Sequence, residues 1–206
     1  TYNNVSNYRV NVTELRLYLS HIYGVREGGE VVELSDVALF DLTDAEDEMI
    51  LADIPVDNYE AFGFGIGVSP EMNSPDNPDF NIAIYDSNHP LSVTNNMYWT
   101  WQSGYRFVIF DGKYDTDPDG TDPLLSGYSF HTGKEASYRQ VEFDNVSFEV
   151  SSDGSSTIHL DFDVDRFFYS NNDTIDIVFD NQTHGTNQEL SDRLSDNIQN
   201  AVSFRE

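Results

Sequence analysis

"FGFGIGV", residues 62–68, alternates Phe62, Phe64, Ile66 and Val68 with three glycines. A period of two is the mark of a β-strand with one apolar face, because successive side chains of an extended chain point to opposite sides. The glycines leave the other face bare, so another part of the chain is expected to pack closely there. The same strict alternation rules out a phosphate-cradling reading of the glycines, which needs a strand-to-helix turn.

Outward from this stretch the pattern repeats. Tyr105, Phe107 and Ile109 alternate in the same way, as do Val146, Phe148 and Val150, then Ile158, Leu160, Phe162 and Val164, then Ile175, Ile177 and Phe179. Turn-rich segments such as "SSDGSS" and "SNNDT" separate them. Toward the N-terminus, residues 10–19 read as a first strand and residues 31–34 with 37–42 as a second pair. Residues 69–91 and 111–127 are longer interruptions rich in turn residues, of a length that is usually functional or mobile. The C-terminus differs in kind: Thr186 and Glu189 have capping-box spacing ahead of the helical stripe Leu190, Leu194, Ile198 and Ala201. The expectation is an all-β protein, an antiparallel β-sandwich with long loops and one short C-terminal helix, forming a single domain over residues 1–206.

Composition narrows the partners. Asp and Glu number 37 against 10 Lys and Arg, a net charge of -27, which opposes nucleic acid and anionic lipid surfaces. Such a surface suits cations, a basic protein partner, or solubility in a salty or extracellular setting. With no cysteine, disulfides, thiolate metal sites and cysteine nucleophiles are excluded, and any metal must bind through nitrogen or oxygen. The chain starts at Thr1 and has no run approaching ~18 apolar residues, so an exported, soluble protein is expected. Asn-x-Ser/Thr sequons begin at Asn4, Asn11, Asn145, Asn172 and Asn181, as many as an Asn-rich chain yields by chance.

Five histidines offer borderline ligands: His21, His89, His131, His159 and His184. Imidazole suits copper and zinc, whereas carboxylates alone suit calcium or magnesium. His89 closes the first long interruption and His131 follows the second, so both can converge at one end of a sandwich; unrelated, individually satisfied histidines are the plainer alternative. His159 lies between Ile158 and Leu160 and reads as an exposed strand position. His184, just before the helix, can reach the same region. A separate candidate is "DTDPDGTD", where Asp115, Asp117, Asp119 and Gly120 match the start of a calcium loop, with Asp122 close behind. Position twelve of that pattern is Ser126 rather than a bidentate Glu, so a solvated acidic loop competes with the calcium reading. No nucleophile elbow or phosphate loop gives an enzyme reading a handle. Both tryptophans, Trp99 and Trp101, stand in "NNMYWTWQSGYRF", residues 95–107, and share one face in extended geometry. Core packing alone is a sufficient explanation for them.

"HPL" at 89–91, "MYWTWQSGYRF" at 97–107, "FDG" at 110–112 and "FHTG" at 130–133, with "GFGIGVSPEMN" upstream and "THGTNQELSDRLSDNIQNAV" at the end, resemble the MbnP-like family, which includes the surface copper proteins CorA and MopE. The resemblance covers roughly residues 10–204 and is most specific between 89 and 133. It implies a secreted or surface-exposed β-sandwich that binds copper, Cu(I) or Cu(II), through two histidines. It also implies a kynurenine made by oxidising a tryptophan, and a di-haem peroxidase-like (MbnH-type) partner. Carried over by position, His89 and His131 are the ligands, with His184 and His21 as spares, and either Trp99 or Trp101 is the residue oxidised. The function implied is copper acquisition or handling at the cell surface or in the periplasm, without catalysis, and attachment to an outer-membrane uptake complex is compatible with it. The rival is an extracellular binding or adhesion module for carbohydrate or protein, stabilised by calcium at Asp115, Asp117, Asp119 and Asp122.

Overall fold

The computed structural model describes residues 1–44, 46–51, 53–74, 80–100, 104–152, 156–170, 173–184 and 187–205. Fourteen strands and one α-helix follow one another along the described chain. The first nine strands are β1 (Tyr2–Asn3), β2 (Arg9–Arg26), β3 (Val31–Asp41), β4 (Asp57–Ile66), β5 (Tyr98–Thr100), β6 (Gly104–Asp115), β7 (Ser126–Gly133), β8 (Arg139–Phe143) and β9 (Phe148–Val150). They are followed by β10 (His159–Phe162), β11 (Tyr169–Ser170), β12 (Asp173–Thr174), β13 (Gln182–His184), the helix α1 (Gln188–Ala201) and β14 (Val202–Arg205). The expected all-β fold with a short C-terminal helix is the one adopted.

β2 organises the sheet. Its first half, Arg9 to Leu17, pairs with β6, and its second half, from Leu19 onward, pairs with β4, while β3 runs along the other edge. One strand therefore serves two wings, β6-β7-β13 and β4-β8, and the sheet curls about it. The change-over is marked by a register shift between Ser20 and Tyr23, where His21 takes a positive φ of 46°. A bulge of this kind bends a strand and sharpens its twist. Pairing is antiparallel at every described ladder but one: β13 lies parallel to β7.

The glycine face of β4 is covered, as its alternation requires. A Cβ on Gly65 would overlap the Tyr138 ring, and one on Gly63 would overlap Tyr23. The Tyr138 hydroxyl reaches Ser20 Oγ at 3.2 Å. On the opposite face Phe110, fully buried, meets Tyr128, Phe130, Phe167 and Phe168 at ring-centroid distances of 5.1 to 6.1 Å. Each such pair adds about 0.5–1.5 kcal/mol beyond area burial. Helix α1 closes this layer with Leu190, Leu194, Ile198 and Ala201, all buried.

Several local expectations are corrected. The stretches expected as a pair, residues 31–34 and 37–42, form one continuous strand, β3, which ends at Asp41. Residues 111–115 belong to β6, because Arg9, Val10 and Asn11 of β2 supply ladder partners for Asp115, Tyr114 and Lys113. Ile175 and Ile177 are buried, yet strand pairing there stops at Thr174 and Phe179 is 83% exposed. The cap of α1 is Asn187, whose side chain accepts a hydrogen bond from the Leu190 amide at 3.1 Å; Thr186 lies outside the described residues.

Candidate metal centre

One transverse row of the sheet sets the site. Arg16 on β2 stands opposite Ile109 on β6, Ile109 opposite His131 on β7, and His131 opposite His184 on β13. Directly opposed residues share a face, so the two imidazoles lie side by side, with ring centroids 4.7 Å apart and planes at 36°. Two residues along, Glu14, Asp111, Ser129 and Gln182 form the next row of that face. This places a carboxylate and a hydroxyl beside the histidines.

The polar atoms converge. His131 Nε2 is 3.2 Å from Asp111 Oδ1 and 3.3 Å from Oδ2. Ser129 Oγ lies 2.9 Å from His184 Nε2 and 3.4 Å from His131 Nε2. Both ring nitrogens thus face one hydroxyl, and Asp111 Oδ1, though close to His131, is buried without a hydrogen bond. The His131 side chain is 17% exposed, whereas His184 is exposed on β13, the outermost strand of this wing. The pair therefore opens to solvent at the sheet's edge.

Charge is balanced around the rings. Burial pushes the Asp111 carboxyl up, but hydrogen bonds from His131 and Ser129, with the nearby imidazoles, outweigh it and hold the group below its usual value. Burial, reinforced by His131 and Arg106 and opposed by Asp111, lowers the pKa of His184. A neutral imidazole with a free nitrogen is the form that ligates a metal.

Trp99 stands edge-on to His131, centroids 6.3 Å apart at 77°, and the Arg106 guanidinium lies 5.4 Å from its ring centroid. Trp101 lies outside the described residues. His89 is held elsewhere in the same layer: its ring stacks on Tyr85 at 4.3 Å, and its Nδ1 accepts the Leu91 amide at 3.0 Å. The Asn95 side chain clamps the carbonyls of His89 and Pro90 at 3.0 and 2.8 Å. Arg16, in the histidine row, donates to the Asn95 carbonyl at 2.7 Å, so the loop carrying His89 crosses the face that bears His131. The described contacts join His131 to His184, not to His89. His21 is apart from them, an exposed side chain between Glu33 and Glu71 at 3.5 and 3.3 Å. His159 is an exposed position of β10.

The acidic loop is built differently. The Asp115 and Asp117 side chains accept the amides of Asp117 and Asp119 at 3.0 and 3.1 Å, as short polar side chains do in turns. Into it reaches Arg9, whose Nη2 lies 2.6 Å from Asp115 Oδ2 and 3.1 Å from the Asp122 carbonyl, while Nε donates to the Asp117 carbonyl at 2.9 Å. A cation of the chain's own occupies the concavity.

Asp111 and Ser129 escaped the reading of the sequence as site residues. Asp111 was visible only as part of "FDG", and Ser129 only by its spacing of two from His131. Among the described residues no group of three or more His, Cys, Asp or Glu side chains could hold a metal ion; the donors the fold does bring together are the two imidazoles, with Asp111 against His131 Nε2. That donor set fits a copper ion, which imidazole suits.

No helix among the described residues is long and apolar enough to cross a membrane. No curated protein matches the chain. The solved structure of MbnP from Methylosinus trichosporium shares its fold, with a TM-score of 0.53 and 16% identity over 84% of this chain and 72% of that one. The family model for MbnP matches residues 1–191, and the chain belongs to the MbnP family.

Proposed function

We propose that this protein is an exported copper-binding protein that acquires or hands on copper rather than catalysing a reaction, with His131 and His184 as its imidazole ligands. What carries the reading is the convergence of both Nε2 atoms on Ser129 Oγ beside Asp111, in a chain of the MbnP family. Two neutral imidazoles suit Cu(I) without burying a ligand charge. Asp111 holds the metal-free His131 ring through the same Nε2 that would ligate, so it and Ser129 would both yield that nitrogen to the ion. Copper, when bound, supplies a one-electron couple. His89 has Nδ1 engaged by the Leu91 amide, so Nε2 is the nitrogen this loop would add as a third ligand.

The wider reading includes oxidation of Trp99 or Trp101 to kynurenine by a di-haem peroxidase-like protein, and delivery to an outer-membrane uptake complex. Trp99 beside His131 is what supports it, and the intact mass of protein co-expressed with such a partner tests it. For the centre itself the test is copper titration against a chelator. His131→Ala and His184→Ala each lose affinity, His159→Ala does not, and His89→Ala decides whether the loop contributes a ligand. Equal affinity of the His131, His184 and His159 variants would overturn the reading. The alternative, a calcium-stabilised adhesion module, draws on the acidic loop; the Arg9 guanidinium seated there weighs against it.

A further inference from the structure

We infer that Arg106 sets the oxidation-state preference of the copper centre, its fixed positive charge favouring Cu(I) over Cu(II); the inference rests on the copper reading above. Arg106 stands on β6 at a register shift between Arg106 and Val108, the kind of irregularity that re-aims a side chain. Its guanidinium carbon is 5.4 Å from the Trp99 ring centroid, and that ring is 6.3 Å from the ring of His131, so the charge lies within roughly 12 Å of the proposed ligand. Nη1 donates to the Asn96 carbonyl at 2.7 Å, which pins the group. Nε is buried with no hydrogen-bond partner. Glu14 and Asp111 act on Arg106 by charge alone, without a hydrogen bond to it.

Burial pulls the Arg106 pKa down, yet a guanidinium stays protonated at any working pH. It is a permanent, partly buried cation near the imidazoles, whose charge is opposed by the Asp111 carboxylate. Reduction of Cu(II) to Cu(I) removes one positive charge from the neighbourhood of that cation, so the guanidinium favours the reduced ion and the carboxylate the oxidised one. A unit charge at roughly 10 Å, with an effective dielectric near 20, acts with about the strength that a tenfold change in an equilibrium constant requires.

The test is to measure Cu(I) and Cu(II) affinities separately, each against a chelator specific for that oxidation state, for the wild type, Arg106→Gln, Arg106→Lys and Asp111→Asn. Arg106→Gln is expected to lower the ratio of Cu(I) to Cu(II) affinity by about tenfold, equivalent to about 59 mV for a one-electron couple. Arg106→Lys restores most of the ratio, because it returns the charge without the planar stack on Trp99. Asp111→Asn moves the ratio the opposite way. The inference is overturned if Arg106→Gln binds both ions with an unchanged ratio, or if Arg106→Lys behaves as Arg106→Gln does. Should Arg106→Gln not fold, Arg106→Met removes the same charge, and a wild-type ratio in that variant overturns the inference. Failure of the wild type to bind either ion sinks the copper reading itself.

Discussion

The two ends of β7 gather polar side chains in opposite ways. Ahead of it, residues 115–122 concentrate acidic groups, but Arg9 fills the space between them and the turn amides occupy their carboxylate oxygens. Near its far end, His131 and His184 turn both Nε2 atoms toward the Ser129 hydroxyl, with Asp111 against His131 Nε2 and one of its buried oxygens without a hydrogen bond. Charge density is therefore a poor guide to metal affinity. What counts is whether donors remain unsatisfied when the fold is complete.

The comparison breaks most visibly at His131. Replacing it with Ala removes a ligand and the partner of Asp111 together, and copper affinity in chelator competition is expected to fall by more than about 100-fold, beyond the loss typical of an outer-shell change. Asp111→Asn keeps the ring but removes the negative charge beside its Nε2, and a smaller loss, of about tenfold, is expected by the same measurement. If Asp111→Asn binds copper as the wild type does, the carboxylate is not part of the centre.

The sheet was largely legible in the sequence because its signal is local. Phe62 to Val68 declares a strand by alternation alone, and the glycines between them announce a close-packed cover, which Tyr23, Tyr138 and Phe107 supply. The length of β2 was hidden by polar residues and by the bulge at His21, since a register shift scrambles a period-two pattern. Ile175 and Ile177 misled for a related reason: alternation reports burial on one side, and a buried turn can mimic it. Half of the proposed centre was legible. His131 stood out by its neighbours, but its pairing with His184 depends on a parallel ladder between residues 53 positions apart. No local pattern encodes such a contact; His89 stacks on Tyr85 and accepts the Leu91 amide through Nδ1, which leaves its Nε2 for the proposed site.

Arg9→Gln sharpens the other side of the comparison. With the guanidinium in place, the wild type should melt at the same temperature in calcium and in chelator. Removing it leaves Asp115 and the carbonyls of Asp117 and Asp122 without their cation, so the variant should melt lower and recover part of the difference when calcium is added, as a ligand that binds only the folded state requires. A wild-type melting temperature that rises with calcium would show that the loop takes an ion despite Arg9, and the contrast between the two regions would fail.

The smallest effect belongs to pH. His184 has a folded-state pKa held below its ordinary value by burial, with His131 and Arg106 adding to the shift and Asp111 opposing it. Below about 6.5, the unperturbed value, the unfolded chain takes up a proton there that the folded chain resists. The neutral ring thus contributes stability that is fully present above that pH and is lost as pH falls through the lower folded value. Metal-free wild type should therefore lose melting temperature relative to His184→Gln as the pH drops below about 6.5, by no more than a few degrees because the ring is largely solvated. Copper binding should persist somewhat below the same pH, since protons compete for His184 only once its lowered pKa is reached. Parallel melting curves for the two proteins across that range would place His184 in an ordinary aqueous environment, and with it remove the electrostatic argument that keeps the imidazole ready for an ion.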